Sequence, residues 1–142
     1  MEKSTFERIR VRYGETDMMG HAYYANYLLW FEQARGAYCR DRGFTYLSLE
    51  EEGYKLPVVE VMVRYKNEIK YDDLIEIEVK ITEIKRASIK FEYQVFRVSD
   101  RTLCTEGYTW HVLIGTTKRA TSIPVELREK LERDPDRYPT LE

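Results

Sequence analysis

Cysteine is scarce in this sequence, long apolar runs are missing, and neither sign of charge prevails. Cys39 and Cys104 are the only cysteines among 142 residues. They offer at most one disulfide, lack metal-ligand spacing, and are read as reduced, buried thiols. The 23 basic residues nearly balance 25 acidic ones, for a net charge of -2. That argues against a nucleic-acid partner, because backbone binding relies on clustered positive charge. No segment approaches the roughly 20 apolar residues that span a bilayer, and the opening MEKSTFERIR lacks the apolar centre of a secretory signal. No membrane partner is expected, and a cytoplasmic location is. With 4 prolines and 7 glycines there is no linker, repeat or low-complexity tract, so residues 1–142 read as one domain.

What is present is periodic. Ile9, Val11 and Tyr13 alternate with Arg8, Arg10 and Arg12, which predicts a half-buried strand from Phe6 to Tyr13. Residues 14–20 have no period and form a loop. From Tyr24 to Arg40, Tyr27, Leu28, Phe31, Ala34, Tyr38 and Cys39 recur at helical spacing, and Trp30 widens the stripe. A helix apolar over so much of its circumference is mostly buried. Ala34, Gly36 and Ala37 allow close approach of another backbone, and Gly43 terminates the helix. A short helical piece follows from Tyr46 to Glu52. From Leu56 to Ile114 the sequence predicts four adjacent antiparallel strands, with Val59 to Tyr65, Ile75 to Ile81, Ile89 to Val95, and Tyr108, Trp110, Val112 and Ile114 as their apolar sets. Ser122 and Pro124 announce a last helix to about Arg133, and the tail 134–142 is read as loose. One dry sheet face needs a cover, and only the helix from Tyr24 is apolar enough. The fold class is therefore α+β, an antiparallel sheet wrapped around a long central helix.

The loop before that helix holds Asp17 and His21. Asp17 lies near unpaired backbone N–H groups at a helix start, so it suits a helix or turn cap as well as catalysis. The run RYGETDMMGHAYYANYLLWFEQAR, residues 12–35, resembles the active-site stretch of the hotdog-fold acyl-CoA thioesterases, specifically the 4-hydroxybenzoyl-CoA thioesterase family. Tyr13, Thr16, Asp17, Gly20, the segment Tyr24 to Tyr27 and Glu32 carry the resemblance. Weaker matches at Pro57 to Val59, Asn67 to Ile77, Arg86 to Ile89 and Ile123 to Pro124 extend it over about residues 6–132 in family order.

The resemblance implies a hotdog fold and an acyl-CoA thioesterase that releases a free acid and coenzyme A from a short-chain or aromatic acyl-CoA. It makes Asp17 the catalytic carboxylate, as nucleophile or general base. The backbone N–H near Tyr24, at the helix start, would polarise the carbonyl. Related branches carry histidine or asparagine at Tyr24's position, and the tyrosine here matches the aromatic-substrate type. His21 suits a general acid, a residue orienting Asp17, or a loop fastener; Glu32 suits a backbone or Asn26 partner and, less readily, the catalytic role that helix acids have in other branches, and His111 a structural role. No metal or redox cofactor is implied, coenzyme A being part of the substrate. Its phosphates call for a basic surface, for which Arg64, Lys66, Lys85, Arg86, Lys90, Lys118 and Arg119 are candidates as a group. The family pairs its sheets, so a homo-oligomer is expected, a dimer or a homotetramer built as a dimer of dimers. A non-catalytic acyl-CoA-binding module, sensor or scaffold, is the alternative; a hydratase would need a differently placed His and helix-acid pair.

Overall fold

A computed structural model describes residues 3–135. Along the chain run β1 (Thr5–Arg10), a 3-10 turn (Tyr13–Glu15), α1 (Asn26–Arg40), α2 (Tyr46–Glu51), β2 (Val58–Tyr65), β3 (Leu74–Ile84), β4 (Ser88–Arg97), β5 (Thr102–Val112) and α3 (Val125–Glu132). The five strands form one antiparallel sheet in the order β1-β3-β4-β5-β2. Thus β2 is not beside β3, as sequence adjacency suggested, but crosses to the far edge and pairs with β5.

The sheet curls over α1 because its inner face is continuous in Ile75, Ile77, Val79, Ile89, Phe91, Tyr93 and Val95, all at most 1% exposed. Tyr27, Trp30, Phe31, Ala34, Tyr38 and Cys39 of α1 face it. Phe31 stacks on Tyr93 with ring centroids 4.1 Å apart. Each such large apolar side chain contributes about 1.5–3 kcal/mol on burial. Gly107 of β5 makes the approach possible: a Cβ there would meet the Met62 carbonyl at 2.3 Å and the Phe31 ring at 3.1 Å. Gly43, at φ 86°, follows α1 in the left-handed region and supports its termination.

Four expectations are corrected. The inner residues of β5 are Gly107, Thr109 and His111, while Tyr108 and Trp110 lie on the outer face. Tyr13 is exposed, because the chain leaves β1 at Arg10 and turns. Leu28 and Leu29 of α1 are also exposed, so the sheet covers only part of that helix's apolar surface. Finally, Ser122 caps nothing: its hydroxyl accepts from Arg86, and Pro124 stands before α3. Of the tail, Asp134 and Pro135 are irregular and 136–142 lie outside the described residues.

The polar inner residues of β5 belong to a chain of hydrogen bonds. Arg35 of α1 donates to the hydroxyls of Tyr46 (3.0 Å) and Tyr93 (3.1 Å). Tyr93 and Thr109 are 2.5 Å apart, and Thr109 lies 2.8 Å from His111 Nε2. His111 Nδ1 lies 3.0 Å from the Leu56 carbonyl. A carbonyl only accepts, so Nδ1 carries the proton and Nε2 accepts from Thr109. His111 is structural, held neutral by burial and the nearby Arg35 charge against the opposing pull of the Leu56 carbonyl.

Candidate active site

The loop between β1 and α1 is folded by its own backbone. Asp17 donates its amide to the His21 carbonyl (2.8 Å), and Gly20, at φ 79°, donates back to the Asp17 carbonyl (3.0 Å). Only glycine takes that left-handed conformation without steric cost. The Asp17 carboxylate closes the turn through Oδ1, which accepts from the amides of Met19 (2.9 Å) and His21 (3.2 Å). Asp17 therefore caps its own turn and not α1. Its Oδ2 has no hydrogen-bond partner among the described residues.

Glu15 anchors the loop to the helix. One of its oxygens accepts from the Arg12 amide (2.8 Å) and the other from the Trp30 indole (2.8 Å). Its carbonyl accepts from the Tyr23 amide and the Asn26 side chain, both at 2.8 Å. Burial raises the Glu15 carboxyl, but the Arg12 amide, the Trp30 indole and the Arg12 charge outweigh it and leave it below the ordinary range. Thus the short apolar helix start and the acidic loop are one unit. Sequence reading missed Glu15, although its position before Thr16 and Asp17 was a signal.

α1 begins at Asn26, two residues after Tyr24, and Ala25 already has helical dihedrals. The amides of Tyr24 and Ala25 donate to nothing among the described residues, while the Tyr24 carbonyl accepts from Tyr27 (3.3 Å) and from the Tyr65 hydroxyl (3.4 Å). These amides form the N–H-rich start of a helix, a place suited to negative charge. The Tyr24 side chain itself is exposed.

Asp17, His21, Tyr24, Tyr27, Tyr65 and Glu68 all line one open crevice of about 360 Å³, closed below by Ala22 and Ile69. The structure thus brings Asp17, His21 and Tyr24 together. Tyr27 and Tyr65 pack edge to face at 4.9 Å, and burial pushes the Tyr27 hydroxyl up to about 12, so it stays a proton donor. The His21 ring does not orient Asp17: its Nε2 lies 2.6 Å from Glu68, and His21 reaches Asp17 through its backbone N–H and carbonyl. Glu32 is exposed on α1 and has no hydrogen bond among the described residues. The basic candidates are scattered. Lys66 lines the crevice, Arg64 and Lys66 pair with Glu106, Lys85 and Lys90 lie over Trp110 and Tyr108 on the outer face, and Arg86 binds Ser122.

With this geometry in view, residues 11–131 match the Thioesterase-like superfamily. The chain belongs to that superfamily, and its class is that of the hotdog-fold thioesterases, enzymes acting on thioesters. Among similar proteins, a putative esterase of Aquifex aeolicus is 32% identical over 125 residues, 88% of this chain and 95% of the relative. The acyl-CoA thioesterase YbgC of Haemophilus influenzae is 40% identical over 90 residues, 63% of this chain and 66% of the relative. The solved structure of a DHNA-CoA thioesterase from Staphylococcus aureus superposes with a TM-score of 0.84 at 30% identity, covering 89% of this chain and 87% of that one.

Proposed function

We propose that the protein hydrolyses the thioester of a short-chain or aromatic acyl-CoA, releasing the carboxylic acid and coenzyme A. The observation that carries this reading is the Asp17 carboxylate: Oδ1 is fixed by two loop amides while Oδ2 is left without a partner, in the same crevice as the Tyr24 segment. As general base, Asp17 takes a proton from water, whose hydroxide adds to the carbonyl carbon. The oxygen becomes an oxyanion stabilised by the N–H groups at Tyr24 and the start of α1. Collapse expels the coenzyme A thiolate, and the proton held by Asp17 neutralises it. As nucleophile, Asp17 instead forms a mixed anhydride with loss of the thiolate, and water then cleaves the anhydride. His21 assists at the loop. Neither route calls for a metal or redox cofactor, and coenzyme A enters as part of the substrate. The tyrosine lining of Tyr24, Tyr27 and Tyr65 favours an aryl or short acyl group.

The reading includes a homo-oligomer. β2 is an edge strand with Val58, Val59, Val61 and Tyr65 exposed, Tyr24 is exposed in the segment whose carbonyl meets the Tyr65 hydroxyl, and Leu28 and Leu29 are exposed on α1. An apolar edge of this length is a natural pairing surface, and a second copy there would roof the open crevice. A dimer satisfies this edge, and a tetramer adds a second contact. Cys39 and Cys104 are free and buried, which suits a reducing compartment, taken here as the cytoplasm. No described helix is long and apolar enough to cross a membrane.

The test is thiol release from a panel of short, long and aromatic acyl-CoAs. Hydrolysis of at least one class is expected. If none is cleaved and acyl-CoA only raises Tm, the protein is an acyl-CoA-binding module and the hydrolytic reading fails.

A further inference from the structure

One acid in the crevice stands outside the machinery just described. Glu68 belongs to the loop 66–73 between β2 and β3, and that loop is stitched to the catalytic loop by backbone. Ala22 donates its amide to the Ile69 carbonyl at 2.7 Å, and His21 forms an antiparallel bridge with Lys70. These bonds bring Glu68 to the His21 ring, with Oε2 at 2.6 Å from Nε2. The second oxygen, Oε1, lies 3.2 Å from the Lys70 ammonium. The Lys70 hydrogen bond, opposed by desolvation and aided by the Lys70 and Arg97 charges, holds the Glu68 carboxyl below the ordinary range. At neutral pH it is therefore ionised, and an ionised carboxylate accepts but never donates.

That chemistry fixes the histidine. With Oε2 as acceptor, Nε2 must carry a proton, so in the neutral ring Nδ1 is the nitrogen with the free lone pair. Nδ1 has no hydrogen-bond partner among the described residues. We propose that Glu68 is a positioning residue for the reaction: its carboxylate locks the His21 ring in one orientation and in the Nε2–H tautomer, so that Nδ1 is the nitrogen presented to substrate. The role rests on the hydrolytic reading above. It differs from that of Asp17, because Glu68 acts only through His21. A loop carboxylate holding the far nitrogen of an imidazole is a general way to fix ring and tautomer together.

The chain has only 2 histidines, and the structure gives them opposite tautomers. His111 carries its proton on Nδ1, bonded to Leu56, while His21 carries it on Nε2. Long-range 1H–15N NMR near neutral pH separates the two patterns, with His111 as internal reference. Wild type should show one ring of each kind. In Glu68→Ala the His21 pattern should become a mixture while His111 is unmoved. The kcat on the best acyl-CoA should fall by about tenfold with KM within about twofold, because orientation and not binding is lost. Glu68→Gln, whose amide oxygen still accepts from Nε2–H, should recover most of both the NMR pattern and kcat. In a His21→Ala background, Glu68→Ala should add no further loss.

An Nδ1–H tautomer for His21 in wild type overturns the proposal. So does a Glu68→Ala variant with unchanged kcat, or one whose loss persists in the His21→Ala background. If wild type cleaves no acyl-CoA, the hydrolytic reading fails, and the NMR comparison alone then decides whether Glu68 sets the His21 ring.

Discussion

Glu15 shows how a single carboxylate can hold the loop between β1 and α1. It is 7% exposed and receives the Arg12 amide, the Trp30 indole and, through its carbonyl, Tyr23 and Asn26. Its carboxyl is held below the ordinary value, so its contribution to stability is complete above the unfolded value of 4.5 and is lost as pH falls through the lower folded value. Glu15→Ala, which strands the Trp30 indole, should cost about 1–3 kcal/mol in urea unfolding at pH 7. Trp30 fluorescence should report the change. The effect should shrink as the pH falls below 4.5 and through the lower folded value, where the wild-type carboxyl itself takes up a proton.

His111 behaves in the same sense for another reason. Burial foremost, then the Arg35 charge, pushes its imidazole down to about 4 from 6.5. Between those values the unfolded chain binds the extra proton and the folded chain does not. The stabilisation is therefore whole above pH 6.5 and drains away toward pH 4, a loss of about 3 kcal/mol. An NMR titration should find the ring neutral down to about pH 4. At this scale the meeting of Asp17, His21 and Tyr24 in one crevice was legible because they sit in one short run. Glu68 was not, since nothing local in KNEIKYDD marks it and only the pairing of two loops brings it to His21.

Among the elements, α1 was legible from its period and β3 and β4 from their alternation. β5 was misread because an alternating apolar set implies a buried one, and here the set Tyr108 and Trp110 faces outward. Space and hydrogen bonding decide the inner face instead. Phe31 needs the missing side chain at Gly107, and Thr109 and His111 complete the chain from Arg35. Gly107→Val should therefore destabilise the protein by about 1–3 kcal/mol or more, because the Met62 carbonyl at 2.3 Å is backbone and has nowhere to go. Chemical denaturation measures it, and a neutral result would mean that α1 does not rest on β5 as described.

The whole molecule is an incomplete enclosure. The sheet covers one side of α1, leaving Leu28 and Leu29 exposed, and the β2 edge, also exposed, reaches an open crevice at Tyr65. The position of β2 beside β5 could not be read from the sequence, since consecutive strands more often pair with each other. Nor could the exposed side of α1, whose apolar residues look alike whether the sheet or a second copy covers them. The proposed pairing at this edge predicts that Val61→Lys, placing a charge on it, gives a monomer by light scattering after size exclusion where wild type is larger, and lowers hydrolysis with it.

The central claim is that Asp17 reacts. Thiol release by wild type and Asp17→Asn should be compared side by side on the same acyl-CoA panel, with Tm confirming that both are folded. The asparagine carbonyl can still accept the Met19 and His21 amides, so the loop should stay in place while the carboxylate chemistry is gone. A loss of about two orders of magnitude or more in kcat/KM is predicted. A variant that cleaves as fast as wild type would contradict the assignment of Asp17 as the reacting group.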